Sequence, residues 1–188
     1  MAERPMMTAD PARTSWDEFV ALAEGDRREL LDGVLVETEV PGRDHEFVVV
    51  RLSRHLDIWA EQNGCRVLGS GYKLRVSEHR GVMPDIQVLS EATWRTAGDA
   101  ALEAGRPEHV VEVLSPTSAR YDRAVKREYY GAIGVPEYWL VDPAAKLLER
   151  FVLGADGYVA AEAVCDDAVF EPATLAGLRI ELGGLWPA

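Results

Sequence analysis

The sequence predicts an α/β fold, a mixed β-sheet core flanked by helices. Three observations predict it. The segment His109–Leu114 (HVVEVL) is a short, nearly continuous apolar run, the pattern of a central strand covered on both faces. Val48, Leu52, Leu56 and Trp59 recur at i, i+4, i+8 and i+11, which lays them along one face of a helix. Several further short apolar runs are separated by turn dipeptides rather than by long linkers, so strands and helices share one core.

Taken in order, Ser15 and Glu18 have capping-box spacing and open a short helix to about Ala23. Glu29–Glu39 (ELLDGVLVETE) reads as strand, Asp32-Gly33 turn and strand. The long helix spans about Asp44 to Gln62 and stops at Asn63-Gly64. Strands follow near Arg66–Leu68, Tyr72–Val76 and Asp85–Leu89, then a small-residue linker or irregular helix over 90–107, ended by Pro107. After the His109–Leu114 strand, Ser115-Pro116-Thr117-Ser118 has turn and capping chemistry and opens a helix to about Ile133, with Gly134 as its stop. Pro136–Asp142, Leu147–Leu153, Tyr158–Val164 and a final segment near Leu178–Glu181 complete the strands, with Tyr138 and Trp139 read as core aromatics. Met1–Arg13 mixes charges and prolines without a hydrophobic stretch and is expected to be a disordered tail, with 14–188 as a single domain.

Composition narrows the function classes. No apolar run approaches the roughly 20 residues that span a bilayer, so no membrane role is expected and the expected location is cytoplasmic. Cys65 and Cys165 are neither a disulfide framework nor a zinc knuckle and read as buried free thiols. His45, His55, His79 and His109 make no HExxH pair. The net charge of −12 opposes nucleic-acid binding, but it is uneven. Gly131–Ala188 holds nine acidic and three basic residues, whereas Ala119–Tyr130 holds four basic and two acidic ones.

Two acids sit where acids are costly. Asp85 follows Pro84 at the head of the strand DIQVL, and Glu112 lies inside VVEVL. An unpartnered carboxylate in an apolar strand costs several kcal/mol, so each must be protonated, hydrogen-bonded, paired or metal-bound. On neighbouring strands the two would repel unless a cation lay between them, and hard oxygen donors of this kind suit Mg²⁺ or Mn²⁺. In the following helix Asp122, Lys126 and Tyr130 share one stripe, beside a buried stripe of Tyr121, Val125 and Tyr129. Lys126 then lies at the border of core and solvent, placed to serve a phosphate or an activated water. Read singly, Asp85 is equally a turn cap, Glu112 half of an ion pair, and Asp122–Lys126 a surface pair.

Together the segments ELLDGVLVE (Glu29–Glu37), His45, MPDIQVL (Met83–Leu89), VVEVLSPTS (Val110–Ser118) and D-x3-K-x3-Y-x3-GVPEYWLVDP (Asp122–Pro143) resemble the PD-(D/E)xK nuclease superfamily. Within it they resemble the Uma-two family of bacterial proteins described as restriction endonucleases. The resemblance covers about residues 15 to 153. It implies a restriction-endonuclease-like domain and a metal-dependent DNA endonuclease that hydrolyses phosphodiester bonds with Mg²⁺ (or Mn²⁺). Asp85 matches the Pro-Asp acid and Glu112 the second acid, with the Val113 carbonyl completing the protein's metal ligands. The usual lysine two positions later is absent, since Leu114 stands there, and the pattern implies its replacement by Lys126. Glu29 matches an early acidic position of the family, and His45 a further one. Asp122 and Tyr130 are expected to fix the rotamer of Lys126. A homodimer is expected because cutting two strands calls for two sites about a twofold axis. Leu114 and the acidic charge motivate a second reading, a catalytically inactive nuclease fold that serves as a protein–protein interaction module.

Overall fold

The computed structural model describes residues 13–38, 40–115 and 125–187. Ser15 caps the short α1 (Trp16–Val20) through the expected capping box with Glu18. The helix ends at Val20, three residues early. The strands β1 (Arg28–Leu31) and β2 (Val34–Glu37) form the expected hairpin, with Asp32 and Gly33 both at positive φ (50° and 88°), the requirement of a two-residue turn that matches strand twist. The long helix α2 (Arg43–Asn63) ends at Gly64 in the left-handed conformation. The strands β3 (Cys65–Gly69), β4 (Lys73–Ser77), β5 (Arg80–Val82) and β6 (Ile86–Ser90) come next. The segment 90–107, expected as a linker or irregular helix, contains a short helix, α3 (Glu91–Thr96), capped by Ser90, and a two-residue strand, β7 (Ala101–Leu102), that was not expected. The buried strand β8 (His109–Val113) precedes 116–124, which lie outside the described residues, so the expected helix is seen only as α4 (Arg127–Ala132). The last elements are β9 (Glu137–Asp142), β10 (Leu147–Gly154), β11 (Gly157–Cys165), β12 (Val169–Phe170), β13 (Ile180–Glu181) and a 3₁₀ turn.

These strands make a six-stranded sheet in the order β11-β10-β9-β8-β6-β3, in which only β8 and β9 run parallel. A five-stranded sheet has the order β2-β1-β5-β4-β7, and β12 pairs with β13. The layers follow from side-chain alternation along a strand. Val111 and Val113 of β8 face α2 and the C-terminal segment, in a core with Val48, Leu52, Leu56, Trp139, Phe170 and Ile180. Val110 and Leu114 face the other way, into a core with Leu74, Tyr129, Tyr130, Tyr138 and Leu140. The second sheet carries a third, smaller core of Trp16, Phe19, Leu30 and Ala101. Gly81 of β5 is required there, because a Cβ would lie 2.6 Å from the Trp16 ring and 2.8 Å from that of Phe19.

Two expectations need correction. Cys65 is only half-buried and Cys165 is exposed, because Cys165 ends β11, the outermost strand of its sheet. Lys126 is buried (6% exposed) rather than bordering solvent, for the reason given below. Among the described residues no helix is long and apolar enough to cross a membrane.

A polar cluster inside the six-stranded sheet went unforeseen. Glu137 of β9 accepts from Arg150 Nε (2.9 Å) and Nη2 (3.0 Å), from Trp139 Nε1 (2.5 Å) and from the Thr174 hydroxyl. Burial acts to raise this carboxyl, and those hydrogen bonds outweigh it, so it titrates below its ordinary range. His109 pairs in register with Glu137, and burial pushes its imidazole down to about 4, with the Arg150 charge adding to the effect and Glu137 opposing it. A histidine lowered on folding takes up protons first in the unfolded chain, so stability falls as pH drops from about 6.5 towards 4. His109→Gln should flatten that part of the pH profile of thermal unfolding. Identical slopes for the two proteins between pH 6.5 and 5 would remove His109 as the cause.

Candidate functional site

The site grows out of the β6–β8 pairing. Ile86 pairs with Val111, so the register continued by one residue sets Asp85 beside Glu112. Glu112 alternates with Val111 and Val113 and therefore shares the face of Val110 and Leu114, towards α4 rather than α2. From α4, the Tyr130 hydroxyl donates a short hydrogen bond to Glu112 Oε1. Lys126, the N-cap residue of α4, sets Nζ 3.0 Å from the same oxygen and 3.2 Å from Glu29 Oε1 of β1. Glu29 in turn accepts the Met83 N–H at 2.7 Å. Glu29 and Glu112 are 1% and 2% exposed, so the lysine is drawn into the core by two carboxylates that water does not solvate.

Asp85 is held separately. Its Oδ2 accepts the Val113 N–H at 2.8 Å and lies 3.1 Å from His45 Nε2. His45 belongs to the first turn of α2, on the opposite side of the sheet, and reaches Asp85 past the strand end. Val113 thus donates its backbone N–H to the site. Tyr130 is fully buried, and burial, followed by the nearby Glu112 and Glu29 charges, raises its hydroxyl well above the ordinary phenol range, so it stays a proton donor.

Glu29, His45, Asp85, Glu112, Val113 and Lys126 all line one cleft of about 990 Å³, bounded by the loop after α1, the β1–β2 hairpin and the loop before β4. Of the expected site residues, Asp122 lies outside the described residues. The structure adds one group, the Met83 amide, which seats Glu29. Its signal was the MPD segment itself, where Met83 stands two residues before Asp85.

What the cleft offers a cation is oxygen. Among the described residues no three His, Cys, Asp or Glu side chains converge as a metal-ligating group. Asp85 and Glu112, side by side with the Val113 peptide, fit Mg²⁺ or Mn²⁺, which keep several waters and take one or two carboxylates. They do not fit a closed zinc site of four protein ligands.

The fold is of the restriction-endonuclease-like class. The family model described as "Uma2: Putative restriction endonuclease" matches residues 16–183, and the chain belongs to that family. Among solved structures, a "putative nuclease belonging to DUF820" from Anabaena variabilis ATCC 29413 is similar over 92% of this chain and 97% of that one, with a TM-score of 0.76 at 18% identity. The type IIG restriction endonuclease BpuSI is similar over 72% of this chain and 16% of its own, with a TM-score of 0.43 at 14% identity. No curated protein matches this chain significantly.

Replacing Tyr130 by Phe removes one donor from buried Glu112 while keeping the ring. Loss of a partner by a buried acceptor costs about 1–3 kcal/mol. The midpoint of urea unfolding should fall accordingly, and an unchanged midpoint would show that Tyr130 does not support Glu112.

Proposed function

We propose that this chain is a nuclease that hydrolyses phosphodiester bonds of DNA with Mg²⁺ or Mn²⁺. The observation that carries the reading is the meeting of Asp85, Glu112 and Lys126 at one cleft although they lie on separate elements. Asp85, Glu112 and the Val113 carbonyl would hold the ion, which when bound supplies an acidified water and offsets charge on the phosphate. The remaining chemistry belongs to the side chains. Lys126 orients the attacking water or stabilises the oxyanion, a task for a cation already in place. Tyr130 and Glu29 hold Glu112 and Lys126, and His45 holds Asp85 through its Oδ2. Partners of this sort fix the direction of the groups they touch. Cutting both strands of a duplex would use two copies about a twofold axis, a homodimer.

The cleft also favours a second reading, an inactive fold that binds protein. Glu24, Asp26, Glu37 and Asp99 line it with the site acids, which disfavours a polyanion in the absence of a bound cation. Plasmid cleavage with Mg²⁺ or Mn²⁺ separates the two. The wild type should cut, and Asp85→Ala and Lys126→Ala should each lower the rate by about 100-fold or more, the usual scale for losing a positioned electrostatic group. Equal rates for all three proteins would refute the assignment. No cutting together with no salt-dependent DNA binding would favour the protein-binding reading.

A further inference from the structure

Lys126 bridges two acids in this structure. Its Nζ lies 3.0 Å from Glu112 Oε1 and 3.2 Å from Glu29 Oε1, and both carboxylates are buried. Only one of those acids stands beside Asp85 on the paired strands. The other is on β1, in the second sheet, fixed by the Met83 amide at 2.7 Å. Glu112 is therefore part of the oxygen set that suits a divalent ion, and Glu29 is an anchored carboxylate just outside it.

Buried charge makes this arrangement more than a salt bridge. Two buried carboxylates meet the Lys126 ammonium, and leaving Glu112 without a cation would strand a buried charge. A second cation at Glu112 repels the first, and the repulsion is little screened in a partly desolvated site. Both costs are avoided if the ammonium has somewhere else to go.

We propose that Lys126 is a resident cation that balances Glu112 until a divalent ion binds, and then shifts its weight onto Glu29. On this view Glu29 is a positioning residue whose purpose is to receive Lys126, not to ligate the ion. The shift also leaves the ammonium charged and held at the cleft wall, where the cleavage reaction needs it. The inference rests on the divalent-ion reading above, and it adds a competition between a side chain and the ion.

The test is a double-mutant cycle on the affinity for Mn²⁺ alone, without DNA, by titration calorimetry of the full chain. Lys126→Met removes the competitor and should tighten Mn²⁺ about tenfold or more. Glu29→Gln removes the receiving seat and should weaken it about tenfold, the scale seen when a supporting partner of a metal site is lost. In the double variant, the effect of Glu29→Gln should vanish, because no lysine remains to be received. Additive effects would overturn the proposal, since Glu29 would then act as a ligand or by charge alone. Unchanged Mn²⁺ affinity in Lys126→Met would overturn it as well. If Lys126→Met does not fold, Lys126→Gln keeps a hydrogen-bond donor and takes its place in the cycle with the same expectations. A wild type that binds no Mn²⁺ would end the divalent-ion reading itself, and this inference with it.

Discussion

The ammonium of Lys126 between the carboxylates of Glu29 and Glu112 joins three elements: β1 of one sheet, β8 of the other and the N-terminus of α4. Removing one partner of such a buried pair leaves an uncompensated charge and typically costs about 3–5 kcal/mol. The contact lies at the cleft, beside the apolar core that Leu74 and Leu102 of the second sheet share with Val110 and Leu140 of the first. Glu112 could be replaced by valine with gain in packing if the strand were structural alone, since β8 is buried along its whole length. A carboxylate there, with a lysine and a tyrosine committed to it, supports the proposed site.

Much of the fold was legible because its strands are apolar runs of usable length. The β1–β2 hairpin was visible in Asp32-Gly33, α2 in its apolar stripe and its Gly64 stop, and β8 in HVVEVL. The elements missed were those too short to show a period. Three residues define β5 and two define β7, and their place depends on pairing with distant strands rather than on their own sequence. Gly81 shows the difficulty. Nothing local marks it, and its absence of a side chain matters only once Trp16 and Phe19 pack over it.

The candidate site was legible in its acids and obscure in its supports. Asp85 and Glu112 stood out as charges in apolar strands, and Lys126 by its helical spacing to Tyr130. That Lys126 would be buried was not visible, because burial required a second carboxylate from β1, far away in sequence. The Met83 amide and the reach of His45 around the strand end likewise depend on register and on the junction of α2 with the sheet. The ion cluster of Glu137, Arg150 and Thr174 was hidden for the same reason, as its three residues come from β9, β10 and the C-terminal segment. The overall charge of −12 belongs partly to the cleft itself, where clustered carboxylates raise the affinity for a cation before they lower it for a polyanion.

On the proposed reading Asp85 and Glu112 form one oxygen site for a divalent ion. Anomalous diffraction from a crystal soaked in Mn²⁺ would see it. A peak is expected at the head of β6, within ligand distance of both carboxylates. A fully soaked crystal with no peak there, and with Glu112 still held by Lys126 and Asp85 still held by His45, would contradict it.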